Sequence, residues 1–198
     1  MTSPNTVSPP RSLTTMQPFF RELSANRETA IALLEGLTSA QLAWRPAPER
    51  WGLADICSHL AIMMDRYLPP IDESIRHGHA DAAYSDRPFY GSAVSRLLVW
   101  SMEPPVRVRL RTPKGMQPRH VIDAEQALQL YHTSQNAFEL RLERAAGLDL
   151  AHVRVCHPLF SPARLALGTV LAILLAHERR HLWQATAVRN DAAFPLRS

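Results

Sequence analysis

The sequence predicts an all-α fold: a four-helix bundle with an elaborated crossover between its second and third long helices and a short two-stranded ribbon. Two observations carry this. Four long segments repeat apolar residues at steps of three, four and seven, the period of a helix buried along one face. The 198 residues are 46% hydrophobic and 20% charged, which suffices for one core at ordinary single-domain size.

Residues 1–12, rich in Pro, Ser and Thr, read as a disordered tail, and 13–198 as a single domain. From 14 to 37, Met16, Phe20, Leu23, Ala30, Leu34 and Leu37 keep helical register. Gly36 marks the end, and Thr38-Ser39 can cap a short turn holding Gln41 and Leu42. Residues 45–51 form a Pro-braced loop ending in Trp51. A second helix from 53 to about 77 carries Leu53, Ile56, Leu60, Met63 and Tyr67 on one stripe. Pro69-Pro70 is expected to kink or end it. Residues 78–122 are less regular, with a short helix through Leu97, Leu98 and Trp100 and strict alternation over 106–111 that indicates a strand or ribbon. A third long helix over 123–146 aligns Ala124, Leu128, Tyr131, Phe138, Leu142 and Ala145. Residues 148–155 alternate again and are expected to pair with the 106–111 ribbon. Ser161-Pro162 reads as a cap followed by proline at the first helical position, opening a fourth helix that runs to about 189.

Composition excludes several classes. The longest apolar stretch, 165–176, is far below the ~20 residues of a membrane span, and the opening MTSPNTVSPPRS has no apolar run. Two cysteines, Cys57 and Cys156, make no disulfide framework, so a cytoplasmic protein is expected, with no membrane partner. Net charge is +4, and all but one of the 22 basic residues are arginine, the exception being Lys114. Most arginines are scattered singly rather than clustered among aromatics, so no nucleic-acid partner is expected.

The histidines carry the chemistry. His177 and His181 lie four apart in Ala-His-Glu-Arg-Arg-His-Leu-Trp-Gln, on the face shared by Val170, Leu174 and Ala185. That spacing sets two imidazoles about 6 Å apart on one side of a helix, within reach of one ion. His59, between Ile56 and Met63, lies on the core stripe of the second helix. Together they form a facial set of three nitrogens with open positions, as catalytic zinc, nickel or iron sites have. Taken alone, His59 reads better as a hydrogen-bonded core residue. The pair reads better as ligands, because two buried neutral imidazoles need several partners when no metal is bound. The same string matches His-Glu-x-x-His, in which Glu178 would be the general base of a zinc metalloprotease. Only 17 residues follow His181, none of them His or Glu, so the usual downstream third ligand is missing.

The run from Thr38 through Trp51 to His59-Leu60, together with His177, His181 and Gln184 as His-x-x-x-His-x-x-Gln, resembles the DinB-like (DinB/YfiT) metalloenzyme superfamily. The likeness extends from about residue 13 to 189. It implies a four-helix bundle holding a divalent metal (zinc, nickel, iron or manganese) on His59, His177 and His181. It also implies a small-molecule substrate, with a low-molecular-weight thiol as one class, in thiol-transfer, isomerisation or hydrolysis. Gly52 stands where the family commonly has Ser, which removes a side-chain cap and leaves Asp55 to serve the amides there.

Other residues have structural and functional readings side by side. Trp51 is expected to staple the start of the second helix. Asp55 can accept the second ring N–H of His59 or serve as a helix-end carboxylate. Arg107, Arg109 and Arg111 share one ribbon face and read better as a charged edge than as an anion site. Met63 and Met64 are core filler, and Cys57 faces away from His59. The apolar register breaks at Asn26/Arg27 and at Ser134/Gln135, which suggests a polar cavity with Arg27 or Gln135 facing a substrate. The sequence thus points to a metal-dependent transferase or hydrolase, with a homodimer through helix faces as a further expectation. The zinc protease and a non-catalytic metal-binding bundle remain as alternatives.

Overall fold

The computed structural model describes residues 11–106, 112–118, 123–158 and 162–195. The elements in order are α1 (Arg11–Leu34), α2 (Ser39–Ala43), α3 (Leu53–Ala80), α4 (Ala93–Met102), a 3-10 turn (Lys114–Met116), α5 (Ala124–Arg144), β1 (Arg154–Cys156), β2 (Arg164–Ala166) and α6 (Leu167–Arg189). Helices α1, α3, α5 and α6 form the bundle, with α3 packed along α5 and α1 along α6. The all-α architecture and the short antiparallel ribbon agree with the sequence expectation.

Local chemistry sets the boundaries. Thr38 caps α2 in a capping box with Gln41, Ser92 caps α4 and Asp123 caps α5. The expected short helix in the crossover is α4, which contains Leu97, Leu98 and Trp100. Helix α3 runs through Pro69-Pro70 without ending. Each proline costs a helix ~3 kcal/mol or more, yet Tyr67, Leu68, Ile71 and Ile75 are all buried here, and each such side chain contributes ~1.5–3 kcal/mol. Burial wins.

The ribbon differs from the expectation. Residues 154–156 pair with 164–166, Val155 opposite Leu165, while the expected partner, 107–111, lies outside the described residues. Closing a loop of a few residues costs less entropy than closing one of some forty. Arg107, Arg109 and Arg111 lie outside the described residues. The last long helix also starts later than Ser161-Pro162 suggests. Residues 164–166 are held in β2, and the first amides of α6 are satisfied by loop carbonyls, Leu167 N–H to Val153 and Gly168 N–H to Leu150, both at 2.9 Å. Gly168 is required there because a Cβ would come within 2.6 Å of the Phe89 ring.

The core divides into two apolar clusters with a polar layer between them. One holds Met16, Leu23, Met64, Ile71, Phe138, Leu142 and Leu171; the other holds Ala30, Leu34, Leu53, Leu60, Tyr131, Leu182 and Val188. Each bundle helix passes from one cluster to the other, and at that level it carries buried polar residues. These are Asn26 on α1, His59 on α3, Ser134 and Gln135 on α5, and Glu178 and His181 on α6. Burying such groups is unfavourable unless they find partners, so the layer is where chemistry must be accounted for. Among the described residues no helix is long and apolar enough to cross a membrane.

Candidate metal centre

Three histidines from two helices meet in this layer. The four-residue spacing of His177 and His181 brings their Nε2 atoms to 3.1 Å, and His59 Nε2 lies 3.5 Å from His177 Nε2. The three candidate donor atoms all fall within 4.8 Å of one another. A divalent ion at 2.0–2.1 Å from tetrahedrally arranged nitrogens needs donor separations of about 3.3 Å, and the two edges that meet at His177 lie on either side of that value.

Protonation favours the same reading. His59 Nδ1 donates to the Met116 carbonyl at 2.6 Å, which leaves Nε2 with a bare lone pair aimed at the other two rings. This carbonyl on the far nitrogen is the kind of partner that orients metal-bound imidazoles. Burial lowers the pKa of all three histidines: His59 through desolvation, His177 to about 3, and His181 well below its usual value. Neutral imidazoles with converging lone pairs are what a divalent cation requires. The Gln184 amide stands beside His181 and favours its charged form, yet Nδ1 of His181 is buried without a partner of hydrogen-bonding geometry.

Trp51 covers the site. Its ring stacks on His181 at 5.9 Å between centroids and lies 4.9 Å from His59. The sequence suggested a staple for α3, and the aromatic contact with two imidazoles is visible only in three dimensions. The Met116 carbonyl, likewise, has no sequence signal, because any residue in that turn would present one.

Asp55 serves the helix start. Its Oδ2 accepts from the Gly52 amide at 2.9 Å and its Oδ1 from Arg45 Nη2 at 2.6 Å. Arg27 turns to α5, donating to Glu139 Oε2 at 2.7 Å, to the Gln135 carbonyl at 3.1 Å and to Asn136 Oδ1 at 3.2 Å. Gln135 is buried, and neither atom of its side-chain amide has a hydrogen-bond partner. The Cys57 thiol is buried and pushed up to about 12 by desolvation, which makes it inert.

Glu178 does not face the imidazoles' meeting point. It lies one residue, or ~100°, around α6 from His177 and is fully buried. Its Oε1 accepts from the Tyr131 hydroxyl at 2.7 Å and its Oε2 from Asn26 Nδ2 at 2.9 Å. Desolvation raises its pKa against the opposing pull of those two hydrogen bonds. The carboxylate of His-Glu-x-x-His here ties α6 to α1 and α5, which argues against the protease reading.

Four long helices around a largely buried cluster of three histidines make a helical bundle whose imidazoles could hold a metal ion. The chain belongs to the DinB superfamily, whose family model matches residues 22–185. No curated protein and no solved structure matches it.

Proposed function

We propose that the protein is a divalent-metal-dependent enzyme of the thiol-transferase or hydrolase type acting on a small molecule, with His59, His177 and His181 as the metal ligands. The convergence of the three Nε2 atoms carries this reading. Imidazole donors suit zinc, nickel and iron, while manganese prefers oxygen donors, so the three nitrogens favour the first group. A divalent ion there would supply positive charge that stabilises a thiolate or polarises a carbonyl. The protein's part is to hold three neutral imidazoles in place, through the Met116 carbonyl behind His59 and the Trp51 ring over His59 and His181. His177 is only partly buried, so a substrate has a direction of approach.

The test is turnover by metal-reconstituted protein with panels of low-molecular-weight thiols plus small electrophiles, and of esters and amides. Activity that disappears on chelation and in His181→Ala supports the enzyme. Stoichiometric metal with no turnover on either panel would leave a non-catalytic metal-binding bundle.

A further inference from the structure

Helix α6 also packs against α1 and α4, where Thr169 and Ala172 face them. His181 follows Ala172 by nine residues, which sets the two ~180° apart around the helix. Between α1, α4 and α6 the chain leaves a cavity of about 500 Å³, open to the surface, whose lining includes none of the three histidines. That volume is the size of a small-molecule site.

Its walls are apolar and preformed. Phe89 lies over Gly168, where a Cβ would come within 2.6 Å of its ring, and its ring centroid is 6.4 Å from that of Phe19. Val99 and Trp100 of α4 supply further wall. A wall built before the ligand arrives loses little entropy on binding. The charged lining residues differ in how they are satisfied. Glu22 and Glu103 both accept from Arg179, Glu103 from two of its nitrogens, so the fold itself supplies their cation. Arg96 is exposed, and its guanidinium makes no hydrogen bond or ion pair among the described residues. Beside it in the first turn of α4, Ser95 Oγ accepts from the Thr169 hydroxyl at 2.9 Å, which directs the Ser95 proton to Ser92 Oγ at 3.0 Å or to a ligand.

We infer that this cavity binds a small carboxylate with an apolar body, aromatic or aliphatic, the body against Phe19, Phe89 and Trp100 and the carboxylate at Arg96 and the Ser95 hydroxyl. Charge decides the class, because both lining acids are already paired and the lining cation is not. Arginine's planar fork of donors matches a carboxylate, and the helix dipole favours negative charge at the first turn of α4. The site lies on the far side of α6 from the imidazoles and does not rest on the metal reading.

The experiment uses the full chain, stripped of metal so that no ion competes for carboxylate, in isothermal titration calorimetry at low ionic strength. Phenylbutyrate, phenylbutanol and phenylbutylamine share ring and chain and differ only in the head group. Wild type should bind phenylbutyrate at least ~3-fold more tightly than the alcohol, the effect of one exposed ion pair, and the amine most weakly. Arg96→Met should bind acid and alcohol alike. Ala172→Phe, which fills the cavity from its α6 wall, should bind none of the three and keep its helical melting transition. If Ala172→Phe does not fold, Val99→Phe takes its place. No binding of any probe at millimolar concentration, equal affinity for all three, or a preference for the amine would overturn the proposal. So would a preference for the acid that survives Arg96→Met, or unchanged affinity in the cavity-filling variant, which would place the probe elsewhere.

Discussion

Replacing Tyr131 with Phe removes one hydroxyl from the middle of the bundle and leaves the packing volume almost unchanged. That hydroxyl donates to Glu178 Oε1 at 2.7 Å, and Glu178 is 0% exposed, so no water can take over. A hydrogen bond to a charged group is worth ~1.5–3 kcal/mol, and a chain of this size shifts its melting point by ~2–4 °C per kcal/mol, which predicts a fall of roughly 3–12 °C. The loss should depend on pH. Burial raises the Glu178 pKa, and the Tyr131 hydrogen bond opposes that rise. Above the unfolded carboxyl pKa the unfolded chain releases its proton first, so this group's contribution declines as pH rises toward the folded value. Without Tyr131 the folded pKa rises further, so the decline extends to higher pH and the variant's deficit is larger at pH 8 than at pH 5. Urea unfolding of wild type, Tyr131→Phe, Glu178→Gln and the double variant at both pH values gives the coupling directly. A deficit that is the same at both pH values, or a coupling near zero, would refute the role given to this bond. Zinc affinity should stay unchanged in Tyr131→Phe, because this network joins Glu178 to Tyr131 and Asn26 and includes none of the three imidazoles.

Acidification should destabilise the metal-free protein. The three imidazoles have lowered folded pKa values, His177 at about 3, so below about pH 6.5 the unfolded chain binds more protons than the folded one. Stability is then lost as pH falls, by up to ~1.4 kcal/mol per pH unit per histidine, and His181→Gln should show a shallower slope in urea midpoints between pH 7.5 and 5.5. Equal slopes in the two proteins would count against the buried neutral triad. Gly52→Ser, although it restores the residue common in the family, should lower the melting point, because its Cβ would stand 2.1 Å from the Trp44 carbonyl oxygen. A cost of ~1–3 kcal/mol is expected from such overpacking, and a rise in melting temperature would show that the backbone yields there.

Sequence periodicity was sufficient for the four long helices, because each buries one continuous apolar face and α3 keeps its stripe even across two prolines. It failed where backbone pairing rather than side-chain pattern decides. Alternation at 148–155 is compatible with any partner strand, and the start of α6 is fixed by the Val153 and Leu150 carbonyls, which no residue identity announces. The same division holds in the site. His177 and His181 are legible because i,i+4 spacing alone places them together, and His59 because it interrupts an apolar stripe. Asp55 was legible as one of two alternatives, and the Gly52 and Arg45 contacts select helix capping. The breaks at Asn26 and Ser134-Gln135 foretold buried polarity, but not that Asn26 would bind Glu178 while Arg27 turned to Glu139. Pairings between helices depend on their relative rotation, which one helix's sequence does not contain.

The central claim is that His59 and the α6 pair hold one metal ion together. Zinc titration into metal-free protein, prepared without an affinity histidine tag, tests it most directly in wild type, His59→Ala, His181→Ala and Glu178→Gln. Wild type and Glu178→Gln should take up close to one equivalent with similar affinity, and each histidine variant should bind at least ~100-fold more weakly, since each removes one of three donors. Unchanged affinity in His59→Ala, or less than about a fifth of an equivalent in wild type under excess zinc or nickel, would contradict the account.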